Sequence, residues 1–192
     1  NVLKYTYLGN WETREGNANI EETLLTAYLS RRGYTDKEIR SAIAKFKQAA
    51  NSLGGGLYNA NKEVYTLLRY GVNVQAEVTE KKKMVHLIDW ANPMENDFQI
   101  AEEVTIQGES DRRPDLVVYV NGIALAVIEL KRSTVSAHEG IRQNIRNQQD
   151  GYIPRFFTTI QLLFAGNDTE GLHYGVIKTP EKFWLRWKEP CG

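Results

Sequence analysis

The sequence is 192 residues long and 42% apolar, enough for one globular domain with a sizeable core. Its 24 basic and 24 acidic side chains cancel, which gives no support to a broad nucleic-acid footprint and leaves such contact to local clusters. Cys191, the only cysteine, rules out an internal disulfide framework and fits a reducing compartment. No apolar run reaches the roughly 18 residues of a membrane span, and NVLKYTYLGNW lacks a signal peptide's basic and apolar succession, so a cytoplasmic protein is expected.

In chain order, Ile20, Leu24, Leu25, Tyr28 and Leu29 recur at helical spacing and stop at Arg31-Arg32-Gly33, predicting a helix with one solvated face. Thr35-Asp36-Lys37-Glu38 has the capping-box pattern and opens a second helix, which turns Ile39, Ile43, Phe46 and Ala50 inward and closes at NSLGGG. A third is expected over 61–70, before Gly71. Strands follow at 72–79, 84–90, 98–107, 115–120 and 123–131, with EKKK and NPMEND as turns between the earlier ones. AHEGIRQNIRNQQDGY returns to helix, and TIQLLFAG and HYGVIKT supply two more strands. With no repeat or low-complexity linker, the pattern predicts one domain over 1–192, of α/β (α+β) class, with helices on both sides of a mixed sheet.

Several chemistries are excluded. The glycines at 54–56 lack a following Gly-Lys-Ser/Thr, so they are loop punctuation and not a phosphate-binding loop. His86, His138 and His173 have no partners at zinc spacing, and no G-x-S-x-G elbow is present.

The stretch PDLVVYVNGIALAVIELK, residues 114–131, is different. Apolar residues on both sides of Asn121-Gly122 make a hairpin, and their presence at both parities implies that both faces are covered, as in the centre of a sheet. Glu129 and Lys131 at its end are costly to bury unless paired or bound to an ion. Register decides whether Asp115 joins them. A two-residue turn pairs Val120 with Ile123 and sets Asp115 opposite Ile128, facing away from Glu129. A three-residue loop with a glycine bulge puts Asp115, Glu129 and Lys131 on one face, and this is the expected geometry. Two carboxylates and an ammonium so placed suit Mg²⁺-assisted hydrolysis of a phosphodiester.

At these residues the sequence resembles the PD-(D/E)xK nuclease superfamily, with Asp115 as the D and Glu129-Leu130-Lys131 as the E-x-K. LIDWANPMENDFQIAEEVT, RRPDLVVYVNGIALAVIELKRS and FFTTIQLLFAGND resemble the N-terminal endonuclease region of the R subunit of type I restriction enzymes, a likeness running over residues 20–188. The resemblance implies a restriction-endonuclease-like core in which Asp115 and Glu129 bind Mg²⁺, with Mn²⁺ able to substitute, and Lys131 positions the water. It also implies double-stranded DNA as substrate, methylation (M) and specificity (S) subunits as partners, and ATP-driven motor domains outside this chain. The alternatives are a repair or recombination nuclease of the same superfamily, or a non-catalytic DNA-binding or assembly module.

Two accessory features come with the resemblance. Glu22, preferred to Glu21, matches a glutamate on the first helix. Gln148 and Tyr152 match a Q-x-x-x-Y motif, with Gln143 or Gln149 as alternatives for the polar role. Arg112, Arg113, Arg132, Arg142 and Arg146 flank the proposed site and are expected to contact the DNA backbone without reading sequence, whereas Lys81, Lys82 and Lys83 belong to a solvated turn.

Overall fold

The computed structural model describes residues 4–75 and 81–188. Cys191 and the last residues of the strand expected over 72–79 lie outside them. Helix α1 spans Glu22–Arg31, α2 Asp36–Asn51, α3 Leu57–Tyr70 and α4 Ala137–Asn147. The capping box of α2 forms as its sequence predicts: the Glu38 backbone N–H donates to Thr35 Oγ1 at 3.4 Å and the Thr35 backbone N–H donates to Glu38 Oε2 at 2.8 Å. Helix α3 begins four residues before the expected 61, directly after Gly56.

The main sheet has seven strands in the order β1 (Thr6–Asn10), β4 (Phe98–Glu102), β5 (Leu116–Val120), β6 (Ile123–Leu130), β7 (Leu162–Asn167), β8 (Gly171–Gly175) and β9 (Leu185–Arg186). The β1–β4 and β6–β7 pairs are parallel and the rest antiparallel, so this is the mixed α/β sheet the sequence implies. The parallel β6–β7 pair needs a crossover, and α4 supplies it. Strands β2 (Val72–Val74) and β3 (Lys83–Val85) form a separate hairpin beside α2. Edge strands β1 and β9 were not expected from the sequence.

Helices lie on both sides of the sheet, but they cover the two faces unequally. On one face Val117, Tyr119, Val127, Leu163 and Ala165 are fully buried in a cluster with Ile141 of α4 and Phe157. On the other, α1 to α3 pack only at the hairpin-turn end, where Val120 and Ile123 join Leu25, Leu29 and Phe46. Further along that face Ile100, Val118, Ile128, Phe164 and Tyr174 are half-buried, and Leu130 and Leu162 are exposed. The expectation that both faces of the central hairpin are covered therefore holds only near its turn. Alternation failed as a guide because the outer parity is apolar whether or not a helix lies over it.

Candidate active site

The central hairpin closes with two residues, not three: Val120 pairs with Ile123, and Asn121 and Gly122 have φ of 54° and 79°. Those angles are a type I′ turn, whose twist suits a tight hairpin. Gly122 is required twice over, since a Cβ there would lie 2.7 Å from Leu24 Cβ and 2.8 Å from Glu21 O. Uncorrected, this register would turn Asp115 away from Glu129. A β-bulge restores it: Tyr119 pairs with Ala124 and Val118 with Ala126, leaving Leu125 as the extra residue. Beyond the bulge Val117 pairs with Val127 and Leu116 with Ile128, so Asp115 comes opposite Glu129 on the same face. The expected convergence is present, reached by a bulge five residues earlier in β6 than the end of the strand and not by the loop.

At this open end of the hairpin, Leu130 donates its backbone N–H to Asp115 Oδ2 at 2.6 Å. Lys131 Nζ lies 4.0 Å from Asp115 Oδ2 and 3.7 Å from Glu129 Oε2. Glu129 has no exposed surface, and neither of its oxygens has a hydrogen-bond partner among the described residues. Burial, reinforced by the Asp115 charge and only partly opposed by Lys131, pushes its carboxyl up to about 8. Leaving a carboxylate in that position costs several kcal/mol unless a cation or donor completes it.

Helix α4 forms the wall of the site. Its Gly140 lies so close to the sheet that a Cβ would be 3.0 Å from Ala165 Cβ and 3.3 Å from Glu129 Cβ. That approach brings Gln143, one turn along, to the ammonium: Lys131 Nζ donates to Gln143 Oε1 at 2.8 Å. One further turn along, Asn147 is fully buried and neither polar atom of its amide has a partner among the described residues. Asn147 was not singled out from sequence, and no motif marks it; only the i, i+4 spacing from Gln143 hints at a shared face.

Other candidates lie elsewhere. Gln148 is buried and ties α4 to a loop, donating from Nε2 to Asn144 O at 3.0 Å and accepting the Lys178 backbone N–H at 2.8 Å. Tyr152 carries the Arg112 guanidinium 4.3 Å above its ring. Of the three glutamines weighed for the polar role, only Gln143 touches Lys131. Glu22 is not brought to the cluster: it is exposed and ion-paired with Lys47, while the neighbouring Glu21 backbone N–H donates to Gly122 O at the turn end of the hairpin. The length of β6, about 20 Å at strand rise, separates that end from Glu129. Among the arginines, Arg113 is held by Glu12 and Glu103, and Arg142 by Glu139 and Glu181. Arg132 and Arg146 are exposed, and their side chains have no partner among the described residues.

Two opposed carboxylates beside a lysine held by an amide make a compact, oxygen-rich, half-sheltered site. The family described as type I restriction enzyme R protein N terminus matches residues 1–182. The chain belongs to that family. Its relatives include the type I restriction enzyme SsaAORF53P endonuclease subunit of Staphylococcus saprophyticus, 30% identical over 69% of this chain and 13% of its own length. The HindI endonuclease subunit of Haemophilus influenzae is 36% identical over 44% of this chain and 8% of its own, and the SauMSSORF170P subunit of Staphylococcus aureus is 25% identical over 55% and 12%. The chain spans about a seventh or less of the curated relatives it matches. These relatives are named as type I restriction enzyme endonuclease subunits, which supports nuclease activity at the level of the family. No helix among the described residues is long and apolar enough to cross a membrane.

The donor set suits a hard divalent cation. Asp115 and Glu129 offer oxygen only, and the unpartnered Glu129 carboxylate is the kind of buried group that a cation completes. No cluster of three or more His, Cys, Asp or Glu side chains able to hold a metal occurs among the described residues, so water and substrate oxygens would fill the other positions.

Proposed function

We propose that Asp115, Glu129 and Lys131 form the Mg²⁺-dependent endonuclease site of a type I restriction enzyme R subunit, hydrolysing DNA phosphodiesters without sequence specificity of its own. The observation that carries this reading is the bulge at Leu125, which brings Asp115 back opposite a buried, unpartnered Glu129 beside Lys131. A bulge that re-aims a side chain is a device found beside active sites.

In this reading Asp115 and Glu129 would hold Mg²⁺ or Mn²⁺, which when bound supplies Lewis-acid polarisation of the phosphate and a more acidic water. Lys131, fixed by Gln143, orients the attacking water and stabilises the charge that develops on the phosphoryl oxygens. The water oxygen gives up a proton to solvent as it forms a new bond to phosphorus, one P–O bond to a deoxyribose breaks, and the leaving alkoxide takes a proton from solvent. Arg132 and Arg146, whose side chains have neither a carboxylate nor an aromatic ring against them among the described residues, lie in sequence beside Lys131 and Gln143 and would bind the DNA backbone. Target choice would rest with a specificity subunit working alongside a methylation subunit, and ATP-driven translocation with motor domains elsewhere in the R protein.

The test is cleavage by the assembled enzyme carrying Lys131→Ala. Loss of cleavage with DNA binding and fold intact supports the reading. Unchanged cleavage at saturating Mg²⁺ would overturn it.

A further inference from the structure

Among the described residues, nothing covers most of the width of the sheet face opposite α4. Cross-strand pairs place Ile128, Phe164, Tyr174 and Leu185 in one row across it, because each pairs with the next. Leu162 on this face is 40% exposed, Leu185 57% and Trp187 49%. The rings of Phe164, Tyr174 and Trp187 pack together with centroids 5.6 to 6.5 Å apart. A sheet with one bare apolar face is half of a layered structure, and a soluble monomer rarely leaves so wide an apolar patch uncovered.

We infer that this face, centred on Leu162, Phe164, Tyr174, Leu185 and Trp187, is the docking surface for the part of the R protein that follows this segment. The inference rests on reading the chain as the N-terminal part of an R subunit, and it is independent of the chemistry at Lys131. Two observations choose this occupant. The matched family is the N terminus of R proteins, and this chain spans only 13% and 14% of two matched relatives, so in those proteins most of the polypeptide lies beyond the corresponding segment. Strand β9 and Trp187 form part of the face, and Leu185 and Trp187 are each about half exposed there among the described residues. The central row is apolar, which suits a protein layer and not a phosphate backbone. Docking here would place the following domain directly behind β6, whose other face carries Glu129.

The experiment is hydroxyl-radical footprinting of the natural full-length protein, under conditions where light scattering shows a monomer. Tyr58 and Trp90, both well exposed and far from this face in the fold, are internal references. Trp187, as exposed in this segment as Trp90, should be oxidised about tenfold more slowly than Trp90, as residues in an interface core exclude water. Cross-links from Lys182 or Lys188 should reach lysines far along the polypeptide. The paired substitution Leu162→Lys with Leu185→Lys should return Trp187 to the rate of Trp90. Oxidation of the wild-type face at reference rates would overturn the inference. So would protection that vanishes on dilution, which assigns the face to a second copy, and so would protection that the paired substitution leaves untouched. A natural protein whose intact mass shows nothing following this segment removes the N-terminal reading itself, and that result is distinct because it precedes any labelling.

Discussion

The two ends of the central hairpin bury polar groups to the same depth and treat them in opposite ways. At the turn end Asn121 has no exposed surface, and its side chain is fully engaged. Nδ2 donates to Leu87 O at 2.9 Å and to Asn96 Oδ1 at 2.8 Å, while Oδ1 accepts the Asp97 backbone N–H at 2.8 Å. At the open end Glu129 is equally buried, yet both oxygens are without a hydrogen bond among the described residues. Satisfied buried polar groups fix one arrangement of the chain; an unsatisfied one is a standing cost that calls for an explanation. The turn end is thus built for uniqueness of fold, and the open end for something that arrives from outside.

The sharpest way to break this comparison is to damage each end separately. Gly122→Val forces a Cβ into Leu24 and the Glu21 carbonyl at a residue with φ of 79°, so we expect a loss of about 4 kcal/mol. In a domain of this size that lowers the melting temperature by roughly 10 °C or more. Lys131→Ala should do the reverse, lowering cleavage in the assembled enzyme about a thousandfold, or about 4 kcal/mol in the barrier, while thermal unfolding stays close to wild type. Equal melting losses from both substitutions would erase the distinction.

Much of this contrast was legible in the sequence. Asn121-Gly122 marked the hairpin, and Asp115 with Glu129-Leu130-Lys131 marked its open end, because turn chemistry and charge at the end of an apolar run are local properties. The route by which the carboxylates meet was not legible. A bulge at Leu125 has no residue signature, since an ordinary leucine can be the extra residue, so the required shift was assigned to the loop. Gln143 could be named only as an alternative, for a helix face is readable while the close approach that Gly140 permits depends on the sheet below it. Edge strands β1 and β9 escaped because short exposed strands carry little alternation; Thr6–Asn10 and Leu185–Arg186 take their form from their neighbours.

Smaller effects sharpen the account of the open end. In the metal-free protein the Glu129 carboxyl sits at about 8, against an ordinary value of 4.5. A folded-state value raised in this way contributes stability that is fully present below the unfolded value and is lost as pH rises through the folded one. Metal-free protein should therefore lose on the order of 4 kcal/mol between pH 4.5 and 9 from this group, and Glu129→Gln should flatten that fall in melting curves across the range. Added Mn²⁺ should act in the same direction as the substitution. At a hundredfold excess over its dissociation constant it contributes about 2.7 kcal/mol, with DNA present to complete the shell, and Glu129→Ala should lose that gain. Identical metal responses from the two proteins would remove Glu129 as a ligand.

The smallest expected effect tests whether the two ends are as separate as the geometry makes them. Glu22 was the candidate helix carboxylate from sequence, and a role in the site requires it to reach Glu129. The fold instead points it at Lys47 across the groove between α1 and α2, with its helix anchored to the turn by the Glu21 backbone. An exposed ion pair of this kind contributes little to stability, because solvent screens it and two long side chains must be held still. Glu22→Ala should therefore leave both melting temperature and cleavage close to wild type. Glu21→Ala should differ: Glu21 is buried and accepts two hydrogen bonds from Arg14, at 2.6 and 3.0 Å, and one from the Ala18 backbone, at 3.1 Å. Its removal strips the carboxylate from Arg14 and leaves the Ala18 backbone N–H without its acceptor, and should lower the melting temperature by several degrees while sparing the rate per folded molecule. A large fall in cleavage from Glu22→Ala, with melting unchanged, would mean that α1 swings toward the open end when DNA binds, and that the separation seen along β6 belongs to the free protein alone.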